Sequence, residues 1–299
     1  MYTLQRFIFM ALDPVHVGTG GYRLGRVDNS IVREPGTNLP KIPGTSLSGA
    51  ARSYAAMRYE KLQCAGQSGH CGKPDCPICY TFGSIRGTEG GNAGTVSLGD
   101  AQLLLFPVYS MAGPVWVTTK ARLKEAGFAV NAPDLSREKF ATTLTDWSNP
   151  LNLGWLLLDH QAGDVAVTLP DDVSLDSWAD VAKRLVLVEE GMFSQIVNSN
   201  LEVRTSVSID PMTGAAQDKA LFTYEALPRA CLLWCDVVED DYQKKFPQDD
   251  AHAKNFGHSR PLDVVKAGLE LTEYLGVGGM GTRGFGRIKL LGNWEVNHA

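Results

Sequence analysis

GVGGMGTRGFGRIKLL, residues 276–291, holds the pattern GxGxxG twice, at Gly276, Gly278 and Gly281 and again at Gly279, Gly281 and Gly284. A dinucleotide-binding fingerprint needs a strand before such a loop and a helix after it. Here the order is reversed. PLDVVKAGLELTEYL (261–275) carries helical periodicity, and FGRIKLL (285–291) reads as a strand. The segment therefore does not open a doubly wound parallel sheet. What survives is backbone without side chains, which a bulky ligand can approach closely and whose N–H groups suit anionic oxygen. Arg283 and Arg287 favour phosphate, with a plain glycine-rich turn as the simpler alternative.

Outward from this loop, elements of both kinds are mixed without a regular βα repeat. Residues 2–12 alternate as a strand, and a glycine loop at 18–25 follows. Leu47, Ala50, Ala51, Tyr54 and Met57 recur at helical spacing after a Thr45/Ser46 cap, predicting an amphipathic helix over 46–61. TVSLGDAQLLLFPV (95–108) reads as a strand, with a short helix near 118–126. Residues 127–180 read as irregular and acidic, 184–188 as a strand and 189–199 as a helix. LEVRTSVSI (201–209) and KALFTYEAL (219–227) flank the turn signals of DPMTGAAQD and predict a long hairpin. CLLWCDVV (231–238) is a further strand, in which Cys231 and Cys235 share a face and read as core. The sum is an α+β domain with a largely antiparallel sheet.

The 299 residues suffice for a sizeable core, and 44% hydrophobic with 20% charged residues is ordinary globular composition. No apolar run is long enough for a transmembrane helix. MYTLQRFIFMALDP reads as a strand and not as a signal peptide, and six cysteines without a secretory signal point to a reducing, cytoplasmic compartment. The net charge of −5 conceals an asymmetry. Residues 21–61 carry seven basic groups against three acidic ones, whereas 134–190 carry eleven carboxylates against four basic groups. One face can attract a polyanion that another repels.

Cys64, Cys71, Cys76 and Cys79 lie in CAGQSGHCGKPDCPIC with His70 among them. Four soft ligands ending in a CxxC knuckle suit a structural tetrahedral zinc, with free thiols as the alternative. His70 and Cys71 are neighbours, so either could supply the second ligand. No GxSxG elbow or HExxH pair occurs, and Asp28 has no second carboxylate beside it until Glu34.

HVGTG (16–20), GRVDNSIVREP (25–35) and LPKIPGTSLSGAARS (39–53) together resemble the amino-terminal signature of the RAMP superfamily. FGS (82–84), VSLGDAQLLLFPVYSMAGPVWVTT (96–119), RTSVSIDPMTG…ALFTYEALP (204–228) and GGMGTRGFG (278–286) extend the likeness to backbone subunits of type III CRISPR effector complexes, most of all type III-B. The resemblance implies a single RAMP domain over 1–299, with an RRM-like (ferredoxin-like) core. Its departures from that core are a zinc loop at 64–80, a variable insertion at 127–180 and a protruding hairpin thumb at 201–227. It implies head-to-tail stacking of copies along a CRISPR RNA, alongside other effector subunits and without a membrane. The thumb flips bases of a complementary target RNA, which is cut at regular intervals with the help of Mg2+ or Mn2+. By the same resemblance Asp28 is the cleaving carboxylate, with His16, Tyr224 and Glu225 as helpers. An architectural subunit whose Asp28 is unused is the alternative. Guide RNA contacts fall on Gly18, Gly20, Gly21, Arg26, Lys41, Ser46, Ser48, Arg52, Arg204, Gly278, Gly279, Gly281, Arg283 and Gly286. Ser48 stands where many relatives carry a lysine, which implies one phosphate contact fewer. The four-cysteine loop is commoner in type III-A-like subunits.

Overall fold

The computed structural model describes residues 2–20, 27–66, 70–85, 91–170, 173–216 and 221–296. The chain opens with strand β1 (Thr3–Ala11), a two-residue strand β2 (Lys41–Ile42) and helix α1 (Gly44–Arg58). Helix α2 (Pro77–Phe82) closes the cysteine loop, and strands β3 (Val96–Leu98), β4 (Ala101–Ser110) and β5 (Gly113–Thr118) follow. Helix α3 (Lys120–Glu125) leads into β6 (Ala129–Asn131), β7 (Lys139–Thr142), β8 (Leu151–Leu153), β9 (Leu156–His160) and β10 (Ala166–Thr168). Then come α4 (Trp178–Ala182), β11 (Leu185–Val188), α5 (Glu190–Ser199), β12 (Glu202–Ser206) and β13 (Phe222–Ala226). Strand β14 (Leu232–Glu239), helices α6 (Ala251–Phe256), α7 (Pro261–Glu270) and α8 (Thr272–Leu275), and β15 (Ile288–Glu295) complete the chain.

The main sheet runs β15-β1-β14-β4-β5-β11-β7-β9-β8. Its first four strands are antiparallel. Taken with α1 after β1 and α7 before β15, they form a βαββαβ unit whose strands lie in the order fourth, first, third, second. That is the ferredoxin-like arrangement expected for the core. Beyond it, β5–β11 and β7–β9 pair in parallel. β4 joins the halves: its first part pairs with β14 and its second with β5.

Both faces of the core sheet are covered, which explains the unbroken apolar run Phe7-Ile8-Phe9, each fully buried. Phe7 and Phe9 point to the same cluster as Leu47 and Ala51 of α1 and Leu262, Val265 and Leu269 of α7. Ile8 points the other way, with Leu104, Trp234, Phe128, Leu175 and Val181. The helices α1 and α7 cross with backbones in contact: a Cβ at Gly268 would lie 2.0 Å from the Ala51 carbonyl oxygen.

The expected strands, hairpin and helices are found, with four corrections. The stretch 127–180 is not irregular; its strands β7, β9 and β8 extend the main sheet, while Phe128, Leu175, Trp178 and Val181 cover the sheet's second face. α1 begins at Gly44, and its first N–H is satisfied by Asp100 Oδ1 at 2.7 Å, not by a Thr45 or Ser46 cap. The helix expected over 261–275 breaks at Leu271 into α7 and α8. The last strand begins at Ile288, because residues before it are held in the glycine loop by Val277 N–H donating to the Gly286 carbonyl at 2.8 Å.

Candidate nucleic-acid interface and thiol centre

The segment after β1 knits together pieces that are distant in sequence. Val15 bridges to Leu227, Gly18 to Ile31, and Asn29 to Tyr224. The Gly279 N–H donates to the His16 carbonyl at 2.8 Å, and the Gly286 N–H to the Pro14 carbonyl at 2.9 Å. The start of the first glycine loop at Gly18, the second glycine loop and the base of the β12–β13 hairpin therefore meet around His16. Gly278 is required by this junction: its φ is +87°, and a Cβ there would sit 2.5 Å from the His16 carbonyl oxygen.

Asp28 lies at the rim of the junction, exposed, against β13. Its Oδ2 accepts from the Thr223 N–H at 2.7 Å and the Thr223 hydroxyl at 2.9 Å. These bonds hold the carboxyl below the usual carboxylate range, so it is ionised at neutral pH. Asn29 N–H donates to the Thr223 carbonyl, and Glu225 N–H to the Asn29 carbonyl, both at 3.0 Å. The backbone is thus fixed on either side of the carboxylate while Oδ1 has no hydrogen bond among the described residues.

The three residues grouped with Asp28 lie behind it. His16 is 6% exposed, and its Nδ1 meets the Glu225 carbonyl oxygen at 2.6 Å. A carbonyl only accepts, so Nδ1 carries the proton. Tyr224 is buried edge-on to His16 and Phe285. Glu225 is buried and paired with Arg33 at 2.8 Å, and Arg33 also donates to Asn198 and the Ile31 carbonyl. Of the four, only Asp28 faces solvent.

Beside this junction runs an open groove lined by Thr45, Ser46, Gly49, Ala50, Ser53 and Tyr54 of α1. Leu275, Gly276, Val277, Gly278, Gly281 and Phe285 form its other wall. Hydroxyls and bare backbone predominate, a surface suited to anionic oxygen and close approach. Gly18, Gly20, Gly279 and Gly281 are exposed nearby in the loops, whereas Gly286 is buried beneath. Arg204 stacks over Phe285 at 4.7 Å and bonds Glu202, and Arg283 lies 5.7 Å over Phe222. Both cations thus flank the hairpin base on aromatic faces. Ser48 is half-buried and does not line the groove. Lys41 is paired with Asp100, the residue that also caps α1. Arg52 points to the cysteine loop, donating to the carbonyls of Cys64 at 2.8 Å and Phe82 at 3.3 Å. Gly21 and Arg26 lie outside the described residues.

Cys64, Cys71, Cys76 and Cys79 converge, with all four Sγ atoms within 4.8 Å of one another. The Cys64–Cys76, Cys71–Cys79 and Cys64–Cys79 separations are 3.8, 3.7 and 3.7 Å. A tetrahedron with metal–sulfur bonds of about 2.3 Å has edges of about 3.8 Å, so the set fits a four-coordinate metal such as zinc. Burial pushes the Cys64 thiol up to about 11, and contact with Cys79 pushes Cys76 up. The same contact with Cys76 holds Cys79 down at about 5. His70 is not in the group; its Nδ1 accepts from the Ile85 N–H at 3.3 Å. Cys71, and not His70, completes the four-thiol group. Cys231 and Cys235 are buried in the core, as their shared face predicts.

Sequence reasoning missed Thr223, which orients Asp28 from 195 residues away, and Arg33, which balances Glu225. It also missed Tyr54, whose hydroxyl donates to the Gly276 carbonyl at 2.6 Å and ties α1 to the glycine loop. No local pattern marks such long-range partners.

A family model for the RAMP superfamily matches residues 8–289. The CRISPR system Cmr endoribonuclease Cmr4 of Pyrococcus furiosus is 27% identical over 244 residues, covering 76% of this chain and 78% of that protein. The CRISPR system Cms endoribonuclease Csm3 of Methanothermobacter thermautotrophicus is 25% identical over 223 residues, covering 71% and 89%. A chain in the cryo-EM structure of the type III-B Cmr-beta complex bound to cognate target RNA superposes with a TM-score of 0.67 at 16% identity, covering 97% and 96%. This last likeness is one of fold.

Proposed function

The chain belongs to the RAMP superfamily, and from that premise we propose that it is the backbone subunit of a type III CRISPR effector complex, an endoribonuclease that binds guide RNA and cuts complementary target RNA. The observation that carries the reading is an exposed, oriented carboxylate, Asp28, bonded to the base of the β12–β13 hairpin at a junction that also borders a groove with no carboxylate in its lining. Relatives named endoribonucleases, of both the Cmr and Csm kinds, support it.

In this reading the guide backbone lies along the groove of α1 and the glycine loop, and the β12–β13 hairpin reaches into the guide–target duplex. A flipped nucleotide brings a ribose 2′-OH into line with its own phosphate, and orientation supplies much of the acceleration. Asp28, ionised and held by Thr223, accepts the hydroxyl proton at its free Oδ1. The 2′-oxygen bonds to phosphorus as the P–O5′ bond breaks, leaving a 2′,3′-cyclic phosphate and a 5′-hydroxyl protonated by water. A Mg2+ or Mn2+ held by the Asp28 carboxylate in place of that proton-accepting role would neutralise charge on the phosphate. His16, Tyr224 and Glu225 act as positioning residues behind Asp28, since burial keeps them from substrate. The four thiols hold a closed, structural zinc. One zinc per chain by metal analysis is expected, and zinc-free, folded protein would contradict that assignment.

The chain works as one RAMP domain inside a cytoplasmic ribonucleoprotein, stacked on copies of itself beside other effector subunits. No helix among the described residues is long and apolar enough to cross a membrane. The test is to purify the chain with its complex, sequence the bound RNA, and supply RNA complementary to it. A CRISPR RNA and regularly spaced target fragments are expected. A bound guide without cutting would favour the architectural alternative, and absence of any guide would refute both.

A further inference from the structure

Residues 52–54 of α1 reach two loops at once. Arg52 Nε donates to the Cys64 carbonyl, the residue of the first thiol, and Arg52 Nη1 to the Phe82 carbonyl, at the end of the helix that carries Cys79. One guanidinium thus spans the two ends of the thiol loop. Its Nη2 is buried without a partner among the described residues, so the side chain is held where it bridges the loop and not where all its donors are satisfied. Ser53 Oγ donates to the Ala65 carbonyl at 3.1 Å while also lining the groove. Tyr54 donates in the other direction, to the Leu275 and Gly276 carbonyls that begin the glycine loop. Beneath them, the close crossing at Ala51 and Gly268 fixes α1 against α7.

From this arrangement we infer that metal capture by the four thiols sets the position of α1 against the glycine loop, and thereby governs the groove's affinity for RNA, with Arg52 and Ser53 as positioning residues. The inference rests on the groove being the RNA site. Metal binding in a loop of this kind is folding free energy for that loop. When the ends of the loop are pinned together, both carbonyl partners of Arg52 stay in register. When they separate, the Arg52–Tyr54 face of α1 loses its bonds to the thiol loop and keeps only those of Tyr54 to the glycine loop. Arg52 thus takes a role different from a direct phosphate contact.

The experiment uses the full chain, loaded with Zn2+ or stripped by a chelator, and a fluorescent single-stranded RNA as probe. Stripping is expected to weaken RNA binding by about tenfold or more. Hydrogen exchange should rise across α1 while β1, β14 and β15 keep their protection. Arg52→Gln should still take up zinc but bind RNA weakly in both states, so that the loaded-to-stripped ratio falls to within about twofold. Equal affinity of loaded and stripped wild type would overturn the inference while leaving the groove reading intact. So would full zinc dependence in Arg52→Gln. Loss of protection throughout the sheet on stripping would make the metal a general staple and also overturn it. No RNA binding by zinc-loaded wild type would remove the groove reading itself.

Discussion

Asp28 owes its direction and its lowered pKa to one distant residue, Thr223, whose N–H and hydroxyl both donate to Oδ2. Because these bonds lower the folded-state pKa, the stabilisation they bring is present above the unfolded carboxyl's pKa and is lost as pH falls through the folded one. Thr223→Val removes the hydroxyl and keeps the backbone donor. The Asp28 carboxyl should then titrate at higher pH in a side-chain NMR titration, and the acid limb of target cleavage should move up with it. An unmoved carboxyl resonance would show that the Thr223 hydroxyl does not lower its pKa. Arg33 is a different case: both partners of its pair with Glu225 are largely buried. Arg33→Ala strands a buried carboxylate and should cost about 3 kcal/mol in denaturant unfolding; a loss within assay error would mean that Glu225 finds another partner. Asp28, His16 and the four cysteines stand out in the sequence as chemically capable residue types. Their exposure and partners do not, because His16 and Glu225 are buried by contacts with each other and with Arg33 from distant segments, and Tyr224 packs on Phe285.

At the scale of elements, the β12–β13 hairpin is the part that projects. Its paired portion, Glu202–Ser206 with Phe222–Ala226, stands on the junction, and its far end is closed by a bridge between Ile209 and Ala216. Shortening the tip across 210–216 should leave the base, Thr223 and Asp28 in place. Guide binding should persist while the regular spacing of target fragments is disturbed, as resolved on a sequencing gel. Unchanged spacing would take the hairpin out of the mechanism. The hairpin was legible because two β-prone runs flank Asp-Pro and Thr-Gly turn signals. The start of α1 was not, since the carboxylate that satisfies its first N–H is Asp100, in the segment just before β4. The stretch 127–180 misled for another reason: strands of three to five residues are too short for period-two alternation to rise above its charged, glycine-containing background.

Across the whole molecule, the order of elements showed an α+β sheet, and the reversed context of the glycine loop excluded a doubly wound one. The continuous burial of Phe7-Ile8-Phe9 follows from helices on one face and the 127–180 stretch on the other. The parallel pairings β5–β11 and β7–β9 join segments by long crossovers, and no turn motif announces them. The assembled architecture gathers groove, hairpin and carboxylate on one junction, which divides binding from cutting. In the proposed reading the groove holds RNA through many backbone contacts, and Asp28 acts at one bond. Losing a carboxylate that handles a proton or metal costs on the order of 10²–10⁴ in rate, while one exposed side chain contributes little to a long duplex. The most direct measurement is therefore cleavage of end-labelled complementary RNA by the assembled complex with divalent metal, wild type against Asp28→Ala, with target affinity measured in parallel. Regularly spaced fragments from the wild type, none from Asp28→Ala, and equal affinity are the predicted result. The same fragments at the wild-type rate from Asp28→Ala would contradict it.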